Sequence, residues 1–216
     1  MSQAKEVTVS CPQCAHAQAF TTWSSINVAS HPEKLAELKS GALHRFVCAA
    51  CGKQTEINYP VLYHHPARRC MVWLQGADDS NDAHGLPTGE VLQGYRLRVV
   101  RSRNHLVEKT HLIDLDLDDR IMELYKLIIR ANDNRLSTGD LLFAGLGTGQ
   151  QGVAELQFAI VNESGTQFIG TPQETYAEFA SQFIPVVDAE PLEPGQWHRV
   201  DEAYASGVIR RNGLGN

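Results

Sequence analysis

Two pairs of cysteines constrain this 216-residue chain more than any other feature of its sequence. The pairs are Cys11–Cys14 and Cys48–Cys51, each with the spacing C-x-x-C, and 33 residues lie between them. A C-x-x-C turn offers two sulfur ligands to one ion, and two such turns supply the tetrahedral set of four that zinc accepts. Because four cysteines close the coordination shell, the pattern predicts one structural, non-catalytic zinc ion per chain.

Other uses of the four cysteines remain open at this point. Zinc ribbons usually place about 15–20 residues between the pairs, so a helix inserted between the flanking strands is expected here. An iron site could use the same four sulfurs. A thioredoxin-like redox motif requires a helix directly after the pair, which neither pair predicts, and disulfides require export from the reducing cytosol.

The ends and the apolar runs of the chain favour a cytoplasmic protein. The amino-terminal segment MSQAKEVTVS is polar and has no apolar core of the secretory type. No run approaches the ~18 consecutive apolar residues of a membrane-spanning helix. We therefore expect no membrane segment and reduced cysteines.

A polar segment divides the chain. The sequence QGADDSNDAHGLPTGE, residues 75–90, is rich in Gly, Asp, Ser, Asn and Pro, which is typical of a loop. We predict residues 1–76 as one region, residues 77–94 as a linker and residues 95–216 as a second region, and we expect Gln75–Glu90 to be exposed and cleavable by protease.

The first region is predicted to be mostly β-structure. The segments AQAFTTW, QTEINYPVLY and RRCMVWLQ are rich in Thr, aromatic and β-branched residues, which favour strands, and the last is predicted to be buried. One helix separates the first two, with Ser30 and Glu33 as a capping box, Pro32 in its first turn and Gly41 at its end.

The second region alternates strands and helices. YRLRVV, DLLFAGL, VAELQFAIVN and TQFIG predict strands. Three helices are predicted. The first is opened by Ser102, and the second lies in DDRIMELYKLIIRAND, with Lys126 and Arg130 toward its carboxyl end. The third begins with the capping box Thr171–Glu174. The middle helix has an apolar stripe that consists of Ile121, Leu124, Tyr125 and Ile128.

The predicted fold class is therefore α+β. It combines a zinc-ribbon-like β domain that carries an inserted helix with a following α+β region. Whether residues 95–131 pack with the first region or with the last is left open by the sequence.

Several segments of the chain resemble the CpXC family. They are CPQC, WSSINV, CAACG and YPVLYHH and, more loosely, LVEK and LDDRIMELYKL, so the resemblance extends from about Val7 to about Arg130. It implies a small metal-binding domain of uncharacterised role. The motif positions that carry over are Cys11, Cys14, Cys48 and Cys51.

The chain departs from this pattern beside the cysteines. CAAC lacks the proline of CPQC, and Gly52 follows the second pair where Ala15 follows the first. A residue just past such a turn often needs a positive φ, which costs alanine roughly 1 kcal/mol or more. These departures are expected to weaken the predicted metal site slightly, and they remove no ligand.

Two further motifs are interpreted as structural. GTGQQG matches the dinucleotide pattern G-x-G-x-x-G at residues 147–152, but that pattern requires a following helix, and VAELQFAIV alternates as a strand does. We therefore expect a glycine-rich hairpin and no bound dinucleotide. DLDLDD at residues 114–119 lacks the glycine and the glutamate of a calcium loop, so these acids are expected to cap a helix.

The fifth cysteine, Cys70, lies in the apolar run RRCMVWL near His64 and His65. A reactive thiol is one interpretation, but a small buried residue on a strand is preferred. Cys70 is therefore not expected to bind the metal. The two histidines, with Arg68 and Arg69, are interpreted as a solvated turn after a strand.

Charge narrows the classes of partner. Residues 1–76 carry seven basic and four acidic side chains, a net charge of +3, and the rest of the chain carries −9. A zinc ion with four thiolates lowers the first value to about +1, so neither region has the positive field that non-specific nucleic-acid binding needs.

We therefore expect a non-catalytic, metal-stabilised interaction module whose partner is another protein rather than nucleic acid. Two alternatives remain. One is an enzyme with a pocket between the two regions that uses His64, His65 and the segment GLGTGQQG. The other is an RNA-binding module that uses the basic face Arg96–Arg103.

Overall fold

The computed structural model describes residues 2–76, 86–133, 136 and 138–213. The chain divides into two compact units, Met1–Val107 with Pro194–Trp197, and Glu108–Glu193 with His198–Asn216. Helices and β-sheets occur together, so the predicted α+β class is confirmed. Within the described ranges, no helix has both the length and the apolar character needed to cross a membrane. Residues 77–85 of the predicted linker lie outside those ranges.

In the described part of the first unit, seven strands and one α-helix lie between residues 2 and 100. In order they are β1 (Gln3–Ser10), β2 (Ala17–Asn27), α1 (Pro32–Ser40), β3 (Arg45–Val47), β4 (Gln54–Glu56), β5 (Val61–His65), β6 (Cys70–Leu74) and β7 (Arg96–Val100). Five of the strands form a mixed sheet in the order β1-β2-β5-β6-β7, and β3 pairs with β4 in a separate antiparallel hairpin.

Strand β6 is buried along its whole length, as its apolar sequence CMVWL predicts for a strand with neighbours on both sides. The segment QTEINYPVLY was predicted as one strand, and this is wrong. It forms β4 and β5, with residues 57–60 between them in neither strand. Pro60 lies in this break and has no backbone N–H to donate to a sheet.

Helix α1 ends where the sequence predicts and begins differently. Gly41 has φ +75° and its N–H donates to the carbonyl of Leu38 at 3.1 Å, which is a left-handed helix end that glycine adopts without steric cost. The predicted capping box of Ser30 and Glu33 is wrong, because His31 occupies the capping position before Pro32.

Strand β7 pairs in parallel with β6 and therefore belongs to the sheet of the first unit. The position of β7 also shows that part of the predicted basic face Arg96–Arg103 is buried. Arg98 is only 6% exposed and donates a hydrogen bond from Nη1 to the carbonyl of Leu97. The face Arg96–Arg103 is therefore not a continuous solvated stripe.

The remaining elements are α2 (Arg103–Asp114), α3 (Asp119–Asn132), β8 (Asp140–Thr148), β9 (Ala154–Asn162), β10 (Gly165–Pro172), α4 (Gln173–Ala189) and α5 (Glu202–Arg211). The last three strands form an antiparallel sheet in the order β10-β9-β8. Alternate residues of β9 (Leu156, Phe158 and Ile160) are buried in the core of the second unit together with α3 and β8.

The predicted helices of the second region are present, with corrections. Ser102 opens α2, since its Oγ accepts the N–H of His105 at 3.2 Å. The predicted apolar stripe of α3 is buried except at Ile128, which is 39% exposed. The capping box at Thr171 is wrong, because Thr171 pairs with Leu156 as part of β10. Helix α5 was not predicted.

Candidate metal centre

The first C-x-x-C pair occupies the turn between β1 and β2. The N–H of Cys11 donates to the carbonyl of His16, and the N–H of Ala15 donates to the carbonyl of Cys11, both at 2.9 Å. The N–H of Gln13 points at the Cys11 sulfur at 3.4 Å. These bonds close a tight loop that holds both cysteines on one side of the hairpin end.

The second pair occupies the turn between β3 and β4 and repeats the same hydrogen bonds. The N–H of Cys48 donates to the carbonyl of Lys53, and the N–H of Gly52 donates to the carbonyl of Cys48, both at 2.9 Å. Two hairpins, each with a C-x-x-C turn, are compatible with a zinc-ribbon-like region, and α1 is the helix inserted between them.

The two turns bring all four predicted sulfurs together. The Sγ atoms of Cys11 and Cys51 are 3.7 Å apart, those of Cys14 and Cys48 are 3.6 Å apart, and all four lie within 4.8 Å of one another. Four sulfurs at tetrahedral zinc–sulfur distances of about 2.3 Å stand about 3.8 Å from each other. The donor set and its spacing therefore fit one metal ion.

The electrostatics of the cluster favour a bound cation. Burial opposes ionisation of Cys11, but the N–H groups of Cys14 and Gln13 and the neighbouring thiols lower its pKa to about 6. The N–H of His16 acts in the same sense on Cys14, yet the other sulfurs and desolvation raise the pKa of Cys14 to about 12. Four thiolates therefore do not accumulate alone, whereas a divalent cation would offset their charge.

Apolar residues support the buried side of the cluster. Cys11 and Cys48 are 3% and 2% exposed, and both pack with Phe46. The ring of Phe46 meets the ring of Phe20 edge to face at 6.1 Å between centroids, which joins β3 to β2. Cys14, like Cys51, is exposed, so the site is open to solvent on its other side.

A side chain that the sequence analysis overlooked ties the two hairpins together. Gln18 of β2 donates from Nε2 to the carbonyl of Val47 at 3.0 Å, and its Oε1 accepts the N–H of Ala49 at 2.7 Å. This amide therefore holds the first residue after Cys48 in place. The available signal was a polar residue with both a donor and an acceptor, four positions after Cys14.

The other residues that the sequence analysis weighed as functional lie outside the four-cysteine group. Cys70 is 1% exposed on β6 and is not part of the four-cysteine group. The segment at residues 147–152 contains the end of β8 and most of the turn that leads to the antiparallel strand β9, as expected for a hairpin. His64 and His65 belong to the first unit and the GTGQQG segment belongs to the second.

The residues that follow the two pairs provide a matched test of backbone strain. Ala15 has φ +58° and Gly52 has φ +71°, as expected for the end of each turn. We expect Ala15→Gly to raise the free energy of unfolding by about 1 kcal/mol, and Gly52→Ala to lower it by a similar amount. Urea unfolding of the metal-loaded chain measures both changes.

No described heavy atom outside the neighbouring residues lies within 4 Å of a Cβ placed on Gly52. The Gly52→Ala variant therefore reports the backbone conformation and not a clash. If both substitutions changed stability in the same direction, the left-handed geometry of these two residues would not be the cause.

The comparison with known families agrees with the geometry of the site. The model of the CpXC protein family matches residues 9–126, more than half of the chain, and this range includes both cysteine pairs. No curated protein and no solved structure matches the chain significantly. The family match over residues 9–126, with all four cysteines inside it and clustered in space, shows that this chain belongs to the CpXC family.

Proposed function

We propose that the chain is a non-catalytic interaction module whose first unit is held together by one structural zinc ion. The ligands are Cys11, Cys14, Cys48 and Cys51. The observation that carries the proposal is the group of four sulfurs within 4.8 Å, presented by two turns with the same hydrogen bonds. Zinc bound to four thiolates has no position left for water or substrate, which is why the role is structural.

Zinc is preferred to iron on chemical grounds. Zinc imposes no d-electron geometry and has no redox chemistry, and it is the usual occupant of closed four-cysteine sites. The cation does two things for this unit: it joins the hairpin β1–β2 to the hairpin β3–β4, and it neutralises part of the charge that the sulfurs acquire. Reduced cysteines are compatible with the cytoplasm as the compartment.

Another protein is the proposed partner. The net charge of −6 does not favour nucleic acid. Arg98 is buried, which removes one cation from the basic face that RNA would need. The GTGQQG segment is followed by β9 and not by a helix, so it lacks the array of free N–H groups that holds a pyrophosphate.

Elemental analysis of the freshly purified full chain tests the metal. We expect one zinc per chain, and we expect the four thiols of the cluster to be protected from alkylation until a chelator is added. Iron at the same stoichiometry would replace zinc in the proposal. A folded chain with no metal and with all four thiols free to react would refute the structural role.

A capture experiment in the native host tests the partner. The metal-loaded chain, cross-linked and purified, should retain a specific protein, and prior treatment with nuclease should leave that protein bound. Loss of the captured material after nuclease treatment would instead identify nucleic acid as the partner.

A further inference from the structure

The second unit contains an open cavity of about 560 Å³ that α3, β10 and the start of α4 line. Tyr125, Ile128, Ile129 and Asn132 have the spacing i, i+3, i+4, i+7, which places them on one face of α3. The volume falls within the range of about 300–1,000 Å³ that is typical of sites for small molecules. Apart from Tyr125, the lining residues lie beyond the range of the family match, which ends at residue 126.

The walls of the cavity are mainly apolar. Leu136 and Ile169 line it together with Ile128 and Ile129. Leu136 is buried in the core of the second unit, and Ile169 is half-buried and packs against that core. Ile128 differs, because it is 39% exposed although it continues the apolar stripe of α3. A ligand with an apolar body would cover this exposed wall and remove it from water.

The same cavity also has polar residues in its lining, among them Thr171 and Asn132. The Oγ1 atom of Thr171 is buried and has no hydrogen-bond partner in the described part of the chain. Buried hydroxyl groups are nearly always hydrogen-bonded, because an unpaired one loses its water without compensation. The hydroxyl of Thr171 therefore offers a donor and an acceptor to the polar group of a ligand.

The start of α4 adds donors beside Thr171. The helix begins at Gln173, after Pro172, and no side chain caps its first turn. The N–H groups of the first helical turn have no partner within the helix. Thr175 belongs to this turn and lines the cavity. A ligand oxygen next to Thr171 is therefore close to the amino terminus of α4.

The charges around the cavity favour an uncharged ligand. The described lining residues include one acid, Asp133, and no lysine, arginine or histidine, and Glu174 adds an acid in the first turn of α4. The guanidinium group of Arg130 already donates to the carbonyls of Leu136 and Gly139. An anion would thus be desolvated beside two acids without a free cation to pair with. A cation would meet the positive end of the α4 dipole.

We propose that this cavity binds an uncharged small molecule that has an apolar body and one terminal hydroxyl, carbonyl or amide group. The apolar body lies against Ile128, Ile129 and Ile169, and the polar group binds Thr171 beside the start of α4. The cavity belongs to the second unit and the four cysteines belong to the first, so ligand binding is tested independently of the metal.

Three probes with the same apolar chain test the chemical class. 1-Octanol, titrated into the full metal-loaded chain and followed by amide NMR, should occupy one saturable site. The largest shifts are expected at Ile169, Thr171 and Thr175, which line the cavity. Octanoate and octylammonium add a negative and a positive charge, so each should bind about tenfold more weakly than 1-octanol, or not at all.

A matched pair of substitutions tests the apolar wall. Ile128→Ser removes the exposed apolar side chain from the cavity, so the affinity for 1-octanol should fall about tenfold. Ile184 is also on a helix of the second unit, is 46% exposed and does not line the cavity. Ile184→Ser should therefore keep the affinity of the wild type.

Thr171→Val tests the polar end, because valine keeps the shape of threonine and lacks the hydroxyl. The affinity for 1-octanol should fall by roughly threefold to tenfold, and the melting temperature should not fall, since the hydroxyl has no partner in the described structure. Unchanged affinity would overturn the assignment of the polar end to Thr171.

The site itself would be overturned by the absence of a saturable shift in the wild type, by shifts away from the cavity, or by equal losses of affinity in Ile128→Ser and Ile184→Ser. Octanoate or octylammonium that binds as tightly as 1-octanol would overturn the uncharged class of ligand. If a variant does not fold, the position of the shifts in the wild type decides.

Discussion

Cys48→Ser is expected to abolish metal binding and to unfold the first unit, whereas Cys70→Ala is expected to keep the full metal content. Cys48 Sγ is 3.6 Å from Cys14 Sγ within the four-cysteine group. Serine is a hard oxygen ligand that does not ionise at neutral pH, so the substitution removes one thiolate and leaves an open coordination position.

The size of the effect follows from the coupling of metal binding to folding. A structural zinc contributes about 10 kcal/mol or more of apparent binding free energy, and whole domains are stable by only about 5–15 kcal/mol. Loss of most of this contribution therefore leaves the hairpins β1–β2 and β3–β4 without their main connection. Phe46 and Gln18, which also join the hairpins, cannot compensate for it.

Metal content by elemental analysis and helix and strand content by circular dichroism measure the outcome. Cys70 is the matched control, because it is a buried cysteine of the same unit that lies outside the cluster. Equal metal loss in both variants would mean that Cys70 is a ligand. Full metal content in Cys48→Ser would mean that the cluster is not the metal site.

The cluster could be predicted from sequence because its chemistry is local. Two residues between cysteines fix a turn, and the turn fixes where both sulfurs point, whatever surrounds it. The positive φ of Ala15 could be predicted for the same reason, from its place one residue after the turn. The contact of Gln18 with Val47 and Ala49 could not, since it joins residues about thirty positions apart.

Predictions from the sequence failed where tertiary structure overrides a local pattern. Thr171 has the sequence of a helix cap, but its backbone pairs with Leu156 in the sheet, and the helix begins two residues later. Strand β1 gave only a weak signal, because its apolar alternation is limited to Val7 and Val9 and the other six residues are exposed. Arg98 is buried despite its charge, which the alternation of YRLRVV does not reveal.

A buried group of charged side chains on α2 and α3 shows most clearly that a local pattern does not predict contacts between elements. Lys126 was interpreted as a cation that complements the end of the α3 helix dipole, which is the usual place of lysine on a solvated helix. Its partner Glu108 is eighteen residues away on α2. Only the packing of α2 against α3 and β8 brings these side chains together, and no spacing rule within one helix predicts it.

Lys126→Met should lower the free energy of unfolding of the second unit by about 3–5 kcal/mol. Lys126 contacts Glu108 and Glu123 at 2.9 Å, and its side chain is 8% exposed. Burial opposes its charge, but the two glutamates raise the pKa of Lys126, so it is an ammonium ion throughout the accessible pH range. Methionine retains most of the volume and removes the charge, which leaves the Glu108 carboxylate buried without its partner.

The comparison that isolates burial is Arg211→Met. Arg211 pairs with Glu190 at 2.6 Å, but the arginine side chain is 55% exposed, and pairs of this kind contribute at most about 1 kcal/mol. The loss in free energy of unfolding, measured by urea unfolding, should therefore be several-fold larger for Lys126→Met than for Arg211→Met. Adding Glu108→Gln to Lys126→Met should recover part of the loss, because the uncompensated carboxylate is then gone. Equal losses in the two single variants, or no recovery in the double variant, would show that the interior of the second unit is not held by these charges.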